Sequence, residues 1–140
     1  MIIVYVDMVG DLFHYGHVNA LKQCKEMGDY LIVGVHSDKV VNSYKRTPVM
    51  NMEQRINVIK SCKYVDQVID GAPLIITNEY LEKYKIDIVC ITDTRPIDQT
   101  EQFYKIPMEL GIIKTFKHTQ EISTTNIIDN IKYRIINNTL

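Results

Sequence analysis

Two histidines three residues apart, His14 and His17, are the side chains of this sequence best placed to do chemistry. They flank Gly16, directly after an apolar run that is typical of a buried strand. We expect a helix to begin here, with both imidazoles beside the free N–H groups of its first turn. Those groups and the positive end of the helix dipole favour a phosphate, and Gly16 lets the backbone approach it closely. The segment therefore predicts an anion site.

A second candidate phosphate site lies at the start of the last predicted helix. Ser123 is a favourable N-cap residue, and Thr124 and Thr125 follow it. Their hydroxyls and the N–H groups of the first helical turn are suited to phosphate oxygens. We expect Ser123 to cap the helix and the two threonines to stay free for a ligand.

The elements that must position these groups alternate between strands and helices. The predicted strands are 2–6, 30–35, 67–69, 87–92 and 112–116, and the predicted helices are 16–27, 51–62, 78–84, 99–108 and 124–137. This order predicts an α/β fold: a Rossmann-like, doubly wound parallel sheet of five strands. Ligands of such folds bind beyond the carboxyl ends of the strands. The loops after Val6, Val35, Thr92 and Phe116 are therefore candidate site loops, and 37–48 is predicted to be a mobile loop with a short helical turn.

The composition fits one globular domain. The chain has 140 residues, of which 46% are hydrophobic and 24% charged, which excludes a disordered or fibrous protein. A net charge of −1 provides no general attraction for nucleic acid, so an anionic ligand must be held by a local cluster. The three cysteines form no disulfide or metal pattern. We expect a cytoplasmic protein with a single domain over 1–140, no nucleic-acid partner and no membrane span.

Five segments resemble, in the same order, those of a known enzyme family. They are DLFHYGH (11–17), GDYLIVGVHSD (28–38), VMNMEQR (49–55), KYVDQVI (63–69) and ISTTNII (122–128). The chain is similar to the HxGH nucleotidylyltransferases and, within them, to the cytidylyltransferases of phospholipid biosynthesis, which make CDP-alcohols from CTP and a phosphorylated alcohol. The ordered set is more specific than any one motif. It implies an enzyme of the EC 2.7.7 type.

The resemblance also implies a mechanism, in-line attack of a phosphomonoester oxygen on the α-phosphorus of CTP with release of pyrophosphate. Such a reaction depends on positioning and on neutralising charge at the phosphoryl oxygens. His14 and His17 would donate hydrogen bonds to the phosphates, and Lys45 aligns with the catalytic lysine of the family. Mg²⁺ would arrive with the CTP.

Further contacts follow from the same alignment. Arg46 is a candidate substrate contact, and Arg55 either reaches a phosphate or braces the preceding loop through Glu53. Asp93 is expected to contact the ribose or to help hold Mg²⁺. The expected nucleotide-binding residues are Val9, Gly10, Gly16, Asp93, His118, Thr119, Ser123, Thr124 and Thr125.

The acceptor is indicated by Asp7, which occupies a position that is acidic in the amino-alcohol branch of the family. A carboxylate there can pair with a substrate ammonium. The chain has no Trp, and Leu74 stands where the phosphocholine enzymes have an aromatic wall, whereas a quaternary ammonium requires an aromatic cage. Phosphoethanolamine is therefore favoured. The chain length leaves glycerol 3-phosphate, or another polyol phosphate, as an alternative acceptor.

Some positions depart from the family pattern. Met8 replaces a glycine and Gly10 replaces Phe or Thr, which can reshape the backbone against the nucleotide. His118 stands in place of the signature arginine, and Glu121 replaces its glycine and brings a negative charge toward the triphosphate. These changes leave open a nucleotide-binding protein that has lost turnover. Residues 63–66 align with a subunit contact of relatives, so we expect a homodimer.

Overall fold

The computed structural model describes residues 1–140 and contains one parallel sheet of five strands. The strands are β1 Ile3–Met8, β2 Tyr30–Val35, β3 Gln67–Asp70, β4 Ile88–Thr92 and β5 Ile113–Phe116. Their order across the sheet is β3-β2-β1-β4-β5, and every neighbouring pair is parallel. The winding reverses between β1 and β4, so a crevice opens at the carboxyl ends of these strands. The predicted Rossmann-like α/β fold is confirmed.

Seven helices connect the strands and cover both faces of the sheet. They are α1 Tyr15–Lys25, α2 Asp38–Asn42, α3 Met52–Lys60, α4 Asn78–Lys83, α5 Ile97–Phe103, α6 Lys105–Glu109 and α7 Thr124–Ile136. Val4 and Val6 lie in one buried cluster with residues of α1 and α3, while Tyr5 lies in a second cluster with residues of α4 and α5. Alternate side chains of β1 thus pack on opposite faces of the sheet. None of the helices combines the length and the apolar character needed to cross a membrane.

Strand β1 is longer at its carboxyl end than predicted. Its parallel pairing with β2 continues through Asp7 opposite Gly34 and Met8 opposite Val35. The unbroken ladder outweighs the low strand propensity of aspartate. Asp7 is therefore a strand residue, which corrects its predicted place in the first crevice loop.

The helix predicted over 99–108 is divided into α5 and α6. Pro107 explains the break, because it has no N–H and its ring would clash with the carbonyl of Phe103, four residues earlier. Tyr104 joins the two helices with a non-helical backbone (φ −119°, ψ 23°) and is almost fully buried. The break thereby directs Tyr104 toward the sheet, where its hydroxyl meets Asp7.

Candidate active site

A cavity of about 620 Å³ lies at the crevice, beyond the carboxyl ends of β1, β4 and β5. Most of the predicted site residues line it. These are Asp7, Val9, Gly10, His14, Gly16, His17, Lys45, Arg46, His118, Thr119, Ser123, Thr124 and Thr125. The structure therefore gathers into one cavity side chains that are more than 100 residues apart in the sequence. Arg55 and Asp93 do not line the cavity.

His14 and His17 form the N-terminal cap of α1. The N–H of Gly16 donates to His14 Nδ1 (3.0 Å), and the N–H of His14 donates to His17 Nδ1 (3.1 Å). A nitrogen that accepts a hydrogen bond carries no proton, so the proton of each neutral ring lies on Nε2. Both rings line the cavity, and each thus has a single N–H group to offer a ligand there.

The environment keeps both imidazoles neutral near pH 7. Burial lowers the pKa of His14. Burial, followed by the positive charge of a protonated His14, lowers the pKa of His17 to about 4; Asp11 opposes this shift and Lys45 adds to it. The pair therefore provides neutral hydrogen-bond donors at the positive end of a helix, an arrangement suited to phosphate oxygens.

Two glycines are required by the geometry of this loop. A Cβ atom on Gly16 would lie 2.8 Å from Cε1 of His14, so a side chain there would displace the ring that caps the helix. Gly10 has a φ of +69°, and a Cβ atom on it would lie 2.7 Å from Cδ1 of Ile59. The glycine at position 10 thus lets the loop turn closely over α3. Both glycines line the cavity, as predicted.

Asp11 ties the loop after β1 to two other parts of the site, a role that the sequence did not indicate. Its Oδ2 accepts the N–H of Val49 (2.8 Å), and its Oδ1 accepts the N–H of Met50 (2.9 Å). Its carbonyl accepts the hydroxyl of Thr124 (2.9 Å). These bonds hold the end of the segment that carries Lys45, and the start of α7, against the beginning of α1.

Lys45 and Arg46 approach the cavity from the segment between α2 and α3. Burial, and then the charges of Arg95 and Arg46, lower the pKa of Lys45. Arg46 Nη1 lies 3.4 Å from the hydroxyl oxygen of Thr125, across the cavity at the start of α7. This cluster of cations gives the cavity the local positive charge that the overall net charge of −1 does not supply.

The start of α7 forms the second helix terminus at the cavity. Ser123 Oγ accepts the N–H of Asn126 (3.0 Å), which confirms Ser123 as the N-cap. Thr124 is not free as predicted, because its hydroxyl donates to the carbonyl of Asp11. Thr125 faces Arg46 instead. The phosphate cradle, by which we mean His14, His17 and 123–125, thus consists of two helix N-termini joined through Asp11.

Arg55 does not reach a phosphate, contrary to one of its two predicted roles. Its side chain is fully buried. Its guanidinium donates to the carbonyls of Val9 (2.7 Å), His36 (2.9 Å) and Met50 (3.1 Å), and to Oδ1 of Asp38 (2.5 Å). Arg55 therefore braces the loops after β1 and β2. The brace goes through Asp38 of α2 rather than through the predicted Glu53.

Asp93 and Glu121 also lie outside the lining of the cavity. Asp93 is exposed, and its Oδ1 accepts the N–H of His118 (3.0 Å), so that it joins the loops after β4 and β5. Its expected contact with the ribose or with Mg²⁺ stays a prediction. Glu121, whose charge was expected to lie toward the triphosphate, is exposed as well.

The protein offers no ready-made metal site. No three His, Cys, Asp or Glu side chains lie close enough together to hold a metal ion. The acidic side chains that line the cavity are Asp7 and Asp11, and Asp11 is engaged by backbone N–H groups.

Asp7 lies at the centre of a buried polar group that the sequence revealed only in part. Tyr104 donates its hydroxyl to Asp7 Oδ1 (2.5 Å). His36 Nε2 lies 3.5 Å from Asp7 Oδ2, and His36 Nδ1 lies 3.0 Å from the Tyr44 hydroxyl. Asp7 Oδ2 and His36 Nε2 have no hydrogen-bond partner. We call these four residues the Asp7 cluster.

Two cations cover the aromatic rings of this cluster. The guanidinium carbon of Arg95 lies 4.9 Å from the centroid of the Tyr104 ring, and Lys45 Nζ lies 5.4 Å from that of Tyr44. Burial and the charge of Asp7 raise the pKa of Tyr104, so its hydroxyl keeps the proton that it donates. Arg95, Tyr44, Tyr104 and His36 were not predicted as site residues, because no local pattern connects them to Asp7.

Comparison with known proteins shows the family of the chain. Residues 10–130 match the family model described as cytidylyltransferase-like. The chain is 43% identical, over 99% of its length, to ethanolamine-phosphate cytidylyltransferase of Dictyostelium discoideum, of which it covers 39%. It is 39% identical, over 91% of its length, to choline-phosphate cytidylyltransferase 2 of Arabidopsis thaliana, of which it covers 44%. The chain thus spans about two fifths of these curated relatives.

Solved structures show the same architecture. The lipopolysaccharide core biosynthesis protein of Thermoplasma volcanium has a TM-score of 0.69 at 28% identity, with 87% of this chain and 99% of that chain covered. Pantothenate synthetase of Thermus thermophilus has a TM-score of 0.61 at 11% identity, with 91% of this chain and 61% of that chain covered, and shares the fold. On the family match, the curated relatives and the motif-bearing cavity together, the chain belongs to the cytidylyltransferase-like family.

Proposed function

We propose that this protein transfers CMP from CTP to phosphoethanolamine, producing CDP-ethanolamine and pyrophosphate. The observation that carries the proposal is the phosphate cradle, in which two neutral imidazoles and two helix N-termini border one cavity with Lys45 and Arg46. The relatives named as ethanolamine-phosphate cytidylyltransferases support the choice of substrates.

The cavity supplies what in-line transfer needs. An oxygen of the acceptor phosphate forms a bond to the α-phosphorus of CTP, and the bond from that phosphorus to the bridging oxygen breaks. The electron pair leaves with pyrophosphate. The Nε2–H groups of His14 and His17 and the ammonium of Lys45 would bind the oxygens on which charge builds up. No covalent bond to the protein is needed, so positioning and charge stabilisation carry the catalysis.

Asp7 supports an acceptor that carries a primary ammonium. Its side chain is 2% exposed, and its Oδ2 makes no hydrogen bond and has only a long contact, at 3.5 Å, with His36 Nε2, so a buried donor of positive charge would find an acceptor there. A primary ammonium can donate hydrogen bonds there, whereas a quaternary one cannot. The nearby rings of Tyr44 and Tyr104 are already covered by Lys45 and Arg95, which disfavours an aromatic cage for choline. A polyol phosphate would bring no cation to Asp7.

Three further expectations belong to the same proposal. Magnesium enters bound to the triphosphate, and together with the cations of the cavity it neutralises the negative charge of the phosphates. Residues 1–140 act as one catalytic domain in the cytoplasm. The protein forms a homodimer through 63–66, where Asp66 is held internally by Lys25 Nζ (2.5 Å) and by the N–H of Leu31 (2.8 Å), and Lys63 is exposed. Sedimentation equilibrium of the wild type and of a Lys63→Glu variant tests the dimer.

The activity is tested by incubating the protein with Mg²⁺, each nucleoside triphosphate and a panel of phosphorylated alcohols. Pyrophosphate release and the CDP-alcohol product are both measured. We expect turnover with CTP and phosphoethanolamine, and much less with phosphocholine or glycerol 3-phosphate. Turnover that prefers glycerol 3-phosphate would replace the proposed acceptor. CTP binding without turnover for any acceptor would identify a binding protein.

A further inference from the structure

Arg95 is a cation of the cavity that neither the sequence patterns nor the family alignment singled out. It lies in the loop between β4 and α5 and lines the cavity. Its guanidinium is held over the face of Tyr104, and one weak contact joins Nη1 to Gln99 Oε1 (3.4 Å). Its buried Nε has no hydrogen-bond partner. Stacking thus orients the guanidinium while leaving most of its donors unused.

The position of Arg95 connects it with the Asp7 cluster rather than with the phosphate cradle. Tyr104, on which Arg95 stacks, donates its hydroxyl to Asp7. Arg46, the other arginine of the cavity wall, faces Thr125 at the start of α7. The two guanidinium groups of the cavity therefore lie at different places, one near Asp7 and one at the second helix terminus.

Phosphoethanolamine carries an ammonium and a phosphate only two carbons apart. If the ammonium binds at Asp7, its phosphate must lie within a few bonds of that carboxylate, in the neighbourhood of the Arg95 guanidinium. A phosphomonoester near pH 7 has close to two negative charges, and a planar guanidinium can bind two of its oxygens at once. A phosphate held in this way keeps a third oxygen free to attack the α-phosphorus.

We infer that Arg95 binds the phosphate of the acceptor, and that Asp7 and Arg95 together select a short zwitterion with an ammonium at one end and a phosphomonoester at the other. The inference rests on the proposed function and extends it, because it assigns the acceptor phosphate to a residue on the loop after β4. It also gives the cavity a fixed guanidinium, although position 118 carries histidine in place of the family's arginine.

The test compares Arg95→Gln with the matched control Arg46→Gln, using steady-state kinetics with each substrate varied in turn. For Arg95→Gln we expect the KM for phosphoethanolamine to rise about tenfold or more, the loss typical of hydrogen bonds to a charged group, while the KM for CTP changes less than about twofold. Arg46→Gln should show the opposite pattern. Arg95→Lys should recover only part of the loss, because an ammonium lacks the guanidinium fork.

Direct binding separates this inference from the proposed activity. Calorimetry with phosphoethanolamine, ethanolamine and inorganic phosphate is performed on the wild type, Arg95→Gln and Asp7→Asn, with thermal melts to verify folding. Arg95→Gln should weaken the two phosphate-bearing ligands and spare ethanolamine, and Asp7→Asn should weaken ethanolamine and spare inorganic phosphate. This pattern would support the inference even if no turnover were found. A KM effect confined to CTP, or unchanged phosphate binding in folded Arg95→Gln, would overturn it.

Discussion

The phosphate cradle and the Asp7 cluster are built in different ways, although they share one cavity. The cradle uses groups that are available wherever a helix begins: backbone N–H groups, capping side chains and the helix dipole. The Asp7 cluster takes its members from β1, α5–α6 and the residues after β2, which come together only in the folded chain. Local structure thus supplies the groups of the cradle, while tertiary contacts bring together the members of the Asp7 cluster.

His17→Asn removes a donor from the phosphate cradle and should have the largest effect on activity. The Asn Oδ1 can replace Nδ1 as acceptor for the N–H of His14 and so preserve the helix cap, but the Nε2–H donor is lost. Turnover should fall by about 10²–10³-fold, the usual cost of removing a donor to developing charge. Turnover is measured from the rate of pyrophosphate release, and circular dichroism checks the fold. Turnover within a few-fold of the wild type would exclude His17 from the transition state.

Asp7→Asn disrupts the Asp7 cluster. The amide keeps an oxygen for the Tyr104 hydroxyl but removes the charge that would face an ammonium. The KM for phosphoethanolamine should rise by about 10–100-fold, as for the loss of a hydrogen bond to a charged group, with the KM for CTP almost unchanged. An equal rise for both substrates would mean that Asp7 supports the whole cavity and does not select the acceptor.

The pH dependence of stability tests the buried state of His17 in the cradle. Burial lowers the pKa of His17 to about 4 from an ordinary value of 6.5. Between these two values the unfolded chain binds more protons than the folded one, so the free energy of unfolding should decrease as the pH falls from 6.5 to 4. His17→Asn should flatten this part of the curve. Denaturant titrations at several pH values measure it, and parallel curves for the two proteins would contradict the burial of a neutral ring.

Glu121→Gly should have the smallest effect of these substitutions, and the quantity it tests is the affinity for CTP. The carboxylate is exposed and lies outside the cavity wall, so water and salt screen its charge from a bound triphosphate. CTP affinity measured by calorimetry should change by less than about twofold, the scale of exposed charges. A gain of tenfold or more would show that Glu121 turns toward the nucleotide when it binds.

The departures from prediction have two physical origins. The helix over 99–108 was expected to be continuous, and Pro107, which is a local signal, divides it. Asp7 was expected in a loop because the apolar run ends at Val6, but its ladder with Gly34 extends β1. Arg55 was expected either to reach a phosphate or to brace the preceding loop through Glu53, and three carbonyls and Asp38 engage it in the interior. For Asp7 and Arg55, contacts from distant parts of the chain decided the outcome.

Local patterns in the amino-acid sequence were enough to predict the five-stranded parallel fold, the family and the two helix N-termini of the cradle, because strand runs, helix caps and the spacing of His14 and His17 are local features. The junction of the two termini through Asp11, the surroundings of Asp7, the internal role of Arg55 and the place of Arg95 over Tyr104 were set by the folded structure. They depend on which side chains come into contact across the fold, and such contacts leave no pattern along the chain.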